Sequence, residues 1–309
     1  MSDGDSRAAE RVWRAVPAGT REALERGLPP TDLQSLLIAI AQARGSQVTA
    51  ASVMRRWQSD RFVRPATIDP RSLAGVEARL WQLLPAEFIG IELSPVTPLG
   101  TCRAVAPVSQ NRVVSTVRNT EVVSDSTNTL ALEAATRRRA ERGAGQVHLA
   151  ACHRQLRAQA FGRGAAAHFR LFALVSSGRD SGSGRTEASM LIRHLGYWLA
   201  VLQTLIPDRE PQIELSVFDS QVLTERLDDT IRPGLADRAA LLVDKPDRAR
   251  GRGYYTAFAL RITAERGRTE LGDGGLTTWT AQLTNDAKER CLVSCIATER
   301  LTSLAEAAR

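Results

Sequence analysis

Residues 152–172 read CHRQLRAQAFGRGAAAHFRLF, and the reading of this stretch decides the fold. Arg157 sits in an apolar-flanked segment. Small residues follow (Gly162, Gly164, Ala165, Ala166, Ala167), and then His168 to Phe172. The pattern predicts two antiparallel strands joined by a flexible loop. In such a hairpin the planar fork of Arg157 suits a phosphate, and Phe172 with the basic His168 suits the border of a purine. A hairpin with a solvated basic face would look the same, because Arg and Phe are common on strands. The rest of the chain has to decide between these readings.

Outward from the hairpin, Val113 to Val123 is β-rich, and Asp125 or Ser126 caps a helix expected over 130–142. Its Arg137-Arg138-Arg139 end reads as a solvated terminus favourable to the helix dipole, with RNA contact as the alternative. Downstream, Leu191, Leu195, Trp198, Leu202 and Leu205 repeat at helical spacing, so Tyr197 and Trp198 belong to a core. Ile213, Leu215 and Val217 alternate as a strand, as do Phe258, Leu260 and Ile262. A helical stretch broken at Pro233-Gly234 lies between them. The GRDSGSG run at 178–184 lacks the Gly-Lys-Ser/Thr end of a phosphate-binding P-loop. Cys291 to Ala297 is a β-like run, with Cys291, Val293 and Cys295 on one buried face. Thr298 then caps a final helix, placing Arg300 in its first turn, where it can face an anion.

Residues 1–71 read as a small helical appendage: a packing cap on the core, or a recognition unit. Residues 72–309 read as the main domain. It opens with an amphipathic helix at 73–84 and a strand over 88–96, broken by Pro95.

The chain has 309 residues, 43% of them apolar and 24% charged, as in an ordinary globular protein. Lysine occurs only at Lys245 and Lys288, so the formal charge of +7 is carried by arginine. This reflects either a compositional bias or a phosphate-bearing partner. Four scattered cysteines, an acidic N-terminus and short apolar runs predict a cytoplasmic protein with no membrane span. No metal site is expected: His148, Cys152 and His153 lack a fourth ligand at a recognised spacing.

Four segments now stand in order: helix–strand–Pro95, the Arg157…His168-x-x-x-Phe172 hairpin, Arg-Gly-x-x-Tyr-Tyr-Thr at 250–256, and a strand followed by Glu299-Arg300. This order resembles the three motifs of class II aminoacyl-tRNA synthetases over roughly 72–305. It is most similar to histidyl-tRNA synthetase and its paralogues, including the synthetase-like regulatory subunit of ATP phosphoribosyltransferase. The resemblance implies an α/β (α+β) fold, with an antiparallel sheet flanked by helices, and a homodimer binding ATP and Mg²⁺. It implies that Arg157, Arg250 and Arg300 clamp the triphosphate, and that Arg157, His168, Phe172 and Arg300 hold the nucleotide. It implies an amino-acid-like substrate held by Asp125, Thr127, Gln159 and Tyr255. Candidate Mg²⁺ carboxylates are Asp273, Glu289 and Glu299.

The departures shape the function expected. Gly274-Gly275-Leu276-Thr277-Thr278 stands where the histidyl enzymes carry Gly-Gly-Arg-Tyr-Asp, so histidine is not the expected substrate. Gln159 replaces an acid, Leu174 falls near a glutamine, and Ala297 replaces a glycine. The chain ends at Arg309 with no room for an anticodon-binding domain, so conventional tRNA charging is not expected. Two functions lead, ahead of a third in which the arginine-rich surface binds tRNA or other RNA. One is ATP-dependent adenylation of a carboxylate, passed to a carrier or small acceptor. The other is a catalytically inactive regulatory or binding subunit on a synthetase scaffold.

Overall fold

The structure, a computed structural model, describes residues 3–141, 145–159, 166–248 and 251–306. Strand β1 (Ile89–Gly90) is followed by a two-stranded ribbon of β2 (Val96–Pro98) and β3 (Thr120–Val122). The remaining strands are β4 (Val147–Leu156), β5 (His168–Arg179), β6 (Gln212–Val217), β7 (Leu242–Asp244), β8 (Phe258–Ala264), β9 (Thr269–Thr277) and β10 (Glu289–Ala297). With β1 they form one eight-stranded sheet among the described residues, ordered β1-β4-β5-β10-β9-β8-β6-β7. It is antiparallel except at its margins, where β1 joins β4 and β7 joins β6 in parallel. The expected mixed, helix-flanked antiparallel architecture is what the chain adopts.

The helices are α1 (Asp3–Ala15), α2 (Thr20–Glu22), α3 (Pro30–Gly45), α4 (Ala50–Ser59), α5 (Pro70–Leu83), α6 (Thr101–Val105) and α7 (Ser126–Glu141). They continue as α8 (Arg185–Leu205), α9 (Gln221–Arg226), α10 (Arg232–Leu235), α11 (Trp279–Thr284) and α12 (Thr298–Glu306). Pleating sends alternate residues of β5 to opposite faces. Phe172 and Leu174 enter a core with α8, while Ala173 and Val175 enter a second core with α7 and Trp279. Both faces of the sheet are therefore covered. Tyr197 and Trp198 are buried in the first core, as the helical spacing requires. Before Leu73 none of the described side chains is buried.

Two expectations are corrected here. The Val113–Val123 run supplies only the three-residue β3, which pairs with β2. Its Glu121 carboxylate is instead drawn inward by the Gly100 and Cys102 amides, at 2.8 and 2.9 Å. The Arg137–Arg139 run is not wholly solvated. Arg138 is buried and meets Glu289 of β10 through Nε (3.0 Å) and Nη2 (2.8 Å).

A buried polar chain crosses the α8 core. Trp198 Nε1 donates to Ser294 Oγ (2.7 Å), which is hydrogen-bonded in turn to His194 Nδ1 (2.8 Å). His194 Nε2 is hydrogen-bonded to Ser176 Oγ (2.8 Å), and Ser176 Oγ to His148 Nδ1 (2.7 Å). The indole can only donate, while each serine hydroxyl can both donate and accept, so the line links both imidazoles without a gap. Burial, followed by the Arg193 charge, pushes His148 down to about 4, against a smaller opposing pull from Glu87. Burial, then the charges of His148 and Arg193, pushes His194 well below its ordinary value.

The unfolded chain takes up protons on these imidazoles below about pH 6.5, and the folded chain refuses them. Their contribution to stability is therefore complete above that pH; the part from His148 is lost as the pH falls toward about 4, and the His194 part is likewise lost on acidification. Urea unfolding at pH 5 is expected to show a loss of about 2 kcal/mol from His148 alone relative to pH 7. His148→Gln should flatten the profile. An unchanged slope in that variant would remove His148 as the cause.

Candidate functional site

The site begins at the turn that opens α7. Asp125 precedes the helix, and its Oδ1 accepts from the Thr127 amide (3.0 Å) and hydroxyl (2.7 Å). Buried Gln155 of β4 locks the same turn. In the amide orientation that satisfies all its neighbours, its nitrogen donates to Ser124 O (2.9 Å), and its oxygen accepts from Ser126 N (3.1 Å). Just past β4, Arg157 Nε donates to Ser124 O (2.8 Å) and Nη2 to Asp125 Oδ2 (3.3 Å). Its guanidinium lies over the Phe169 ring, 5.1 Å from the centroid. Helix cap, strand end and aromatic ring together hold one arginine in place.

Two cavities meet at this arginine. The first, about 350 Å³, is lined by Asp125, Thr127, Asn128, Tyr254 and Tyr255 among others. The second, about 480 Å³, is lined by Phe169, Leu171, Gly272, Ala297 and Arg300 among others. Arg157, Gln159, Asp273 and Cys295 border both. Volumes of this size suit small molecules. Tyr255 packs its ring on β9, where a Cβ on Gly275 would come within 2.6 Å of the ring, so glycine is required there.

Burial, then the Asp125 and Asp273 carboxylates, holds the Tyr254 hydroxyl well above its usual value. Burial and then Asp273 do the same to Tyr255 and to the Cys295 thiol. Burial also raises Cys102, although a hydrogen bond with Ser124 opposes it. These thiols stay protonated near neutrality and are poor nucleophiles. The chemistry the site favours is recognition by charge and hydrogen bonding.

Of the residues selected from sequence, Arg157, Gln159, Asp125, Thr127 and Tyr255 line the first cavity, and Arg157, Gln159 and Arg300 the second. Arg300 donates through Nη1 to Glu270 O from the start of α12. Arg250 lies outside the described residues; Arg248 and Gly251, near it in sequence, line the first cavity.

Phe172 does not reach either cavity. It is fully buried on the opposite face of the sheet, against Trp81, Tyr197 and Trp198. The register Gln155↔Phe169 explains why: directly paired residues share a face, and Arg157 shares the face of Gln155. Phe169 is therefore the aromatic residue beside Arg157, and Leu171, not Leu174, stands on the cavity wall.

His168 is also placed differently. Its Nε2 faces Arg64 O (2.6 Å), so it must donate there, leaving Nδ1 to accept from Arg154 Nη1 (2.9 Å). Both ring nitrogens are engaged, and His168 borders neither cavity. Among the magnesium candidates, Glu289 is bound to Arg138 and Glu299 pairs with Arg154 at 2.8 Å. Asp273 borders both cavities. Among the described residues no group of three or more His, Cys, Asp or Glu is placed to hold a metal ion. Sequence reasoning missed Phe169, Tyr254 and Asn128 as lining residues. Asn128 and Tyr254 each adjoin a selected residue, Thr127 and Tyr255, and that adjacency was the signal available.

No family model matches the sequence, and no curated protein matches it. Solved structures do match. One is described as an ATP phosphoribosyltransferase regulatory subunit/histidyl-tRNA synthetase from Bacillus halodurans C. It superposes with a TM-score of 0.61 at 12% identity, over 79% of this chain and 82% of that one. The fold is that of the class II aminoacyl-tRNA synthetases. A histidine–tRNA ligase subunit from Alicyclobacillus acidocaldarius gives a TM-score of 0.57 at 16% identity, over 79% of this chain and 97% of that one. Apo histidyl-tRNA synthetase from S. aureus gives 0.58 at 14%, over 78% and 68%. In this class II synthetase-like frame, the paired cavities lie on the α7 side of the sheet, with Cys295 of β10 bordering both.

Proposed function

We propose that the protein activates an amino-acid-like carboxylate with ATP by forming an acyl-adenylate. Supporting this is the placement of Arg157: it stacks on Phe169, is tied to the Asp125–Thr127 cap, and borders both cavities. The second cavity would take the nucleotide, with the Phe169 ring beside the base and Arg300 near the phosphates. The first would take the acid, with Asp125 and Thr127 as acceptors for an ammonium group.

The substrate carboxylate oxygen attacks the α-phosphorus, and the bond to the β-phosphate oxygen breaks to release pyrophosphate. The chain's part is to align the reactants and to meet developing negative charge with guanidinium groups. Mg²⁺, usually held through one or two carboxylates plus phosphates, would meet Asp273 and would supply charge neutralisation on the triphosphate.

The reading includes a homodimer, with a carrier or partner protein as acceptor ahead of tRNA. It also takes the protein to be cytoplasmic; no described helix is long and apolar enough to cross a membrane. The second reading, a regulatory subunit without chemistry, draws support from Leu171 and Ala297 on the nucleotide wall.

Amino-acid-dependent ATP–pyrophosphate exchange, run across a panel of amino acids and analogues, tests the choice. Exchange with one class of acid is the expected result. Tight ATP binding in calorimetry without exchange for any acid would favour the regulatory reading, and absence of both would end the adenylation proposal.

A further inference from the structure

The turn after α4 reaches the hairpin that carries Arg157. Arg61 Nη1 donates to Gln159 O (2.8 Å) and Nη2 to Ala158 O. The guanidinium also lies 4.3 Å from the centroid of the Phe62 ring, and the Phe62 amide is held by Asp60 Oδ1 at 2.9 Å. Three residues further on, Arg64 O accepts from His168 Nε2 on the other leg of the hairpin. His168 continues through Arg154 to Glu299 at the start of α12. Between the two legs, Arg157 N donates to Ala167 O (2.9 Å). Residues 61–64 thus form a strap that grips both legs where the hairpin leaves the sheet. Ala158 is flanked by Arg157 and Gln159, which both border the two cavities.

We propose that Arg61 is a positioning residue for Arg157 and Gln159, so that the N-terminal helical unit is a working part of the cleft and not only a cap on its exterior. The bidentate grip on the Ala158 and Gln159 carbonyls fixes the backbone on either side of the Gln159 Cα and anchors the leg one residue beyond Arg157, whose own amide is held by Ala167 O. His168, which the family resemblance assigns to the nucleotide, instead ties the second leg to the strap. An incidental surface contact would not need both legs; this one takes both and leaves the core uninvolved. Because no described side chain before Leu73 is buried, removing the Arg61 contact alters the hairpin without opening a hydrophobic core. The proposal rests on the adenylation reading for its ligand, ATP, but not for its structural claim.

The test compares full-length Arg61→Ala and Arg61→Lys with wild type, and uses Arg56→Ala on the exposed side of α4 as a control. Hydrogen exchange is followed across 156–159 and 167–171, ATP affinity by calorimetry, and the melting temperature in parallel. Arg61→Ala should exchange at least about tenfold faster at Arg157 and Ala158 and bind ATP about tenfold more weakly, with a melting temperature within about 2 °C of wild type. Arg61→Lys, whose single ammonium can serve one carbonyl, should fall between. Wild-type exchange in Arg61→Ala would overturn the strap. Faster exchange with unchanged ATP affinity would overturn the positioning role. If wild type itself binds no ATP, the adenylation reading fails, and the exchange arm alone decides whether the strap holds the hairpin.

Discussion

Arg157→Ala is expected to lower the ATP–pyrophosphate exchange rate by about 10²–10³-fold, the usual loss for one well-placed electrostatic contact at a reacting centre. The side chain makes three kinds of contact at once: with Ser124 O, with Asp125 Oδ2, and with the Phe169 face. Only a planar, multiply donating cation can make all three. Arg157→Lys keeps the charge but loses the fork and the stacking, and is expected to recover no more than about tenfold of the loss. Secondary structure by circular dichroism should be unchanged, because Arg157 is only partly buried and lies at the end of β4. Full exchange activity in Arg157→Ala would show that the cleft described above is not where the chemistry happens.

The largest effect on stability is expected far from the cleft. Arg138 and Glu289 form a two-point pair with about 6% of each residue exposed. Ser177 Oγ adds a third hydrogen bond to the carboxylate at 3.2 Å. The pair fastens α7, whose first turn carries Thr127 just past Asp125, to the interior strand β10. Arg138→Ala strands a carboxylate in the interior, at a cost of about 3–5 kcal/mol. Replacing both partners, Arg138→Met with Glu289→Leu, should restore most of that loss, because the penalty comes from the uncompensated charge. Chemical denaturation of the single and double variants measures both values. A single variant within about 1 kcal/mol of wild type would mean that Glu289 finds water or another partner.

Much of the fold was legible because it depends on local rules. The helix face around Trp198 has a helical period, and the start of α7 carries its capping residue, Asp125; the Thr298 hydroxyl, expected to cap α12, turns instead to Glu77 and Arg170 O. Where the sequence reading went astray, the deciding contact was distant. Phe172 and Phe169 differ by three residues, hence by one face of a strand, and only the pairing register with β4 chooses between them. His168 has the chemistry of a phosphate ligand, but its partner is a carbonyl 104 positions away in the chain. Arg138 sits in a run of three arginines that resembles a solvated helix end. Its carboxylate partner lies 151 positions on, and only the sheet brings the two together. Local pattern therefore located the cleft, and long-range pairing determined which neighbouring side chain occupies it.

The order of the strands bears on how the molecule is made. β10 lies between β5 and β9 in the sheet, yet it is synthesised after every other described strand. While the ribosome is still translating, β5 can pair with β4, but its other edge has no neighbour and stays open to water and to other nascent chains. The halves of the sheet can be joined only when Glu289–Ala297 emerges. Closing loops of this length makes the step slow compared with helix formation. Yield on expression should therefore respond to chaperone supply and to low temperature more strongly than equilibrium stability would suggest.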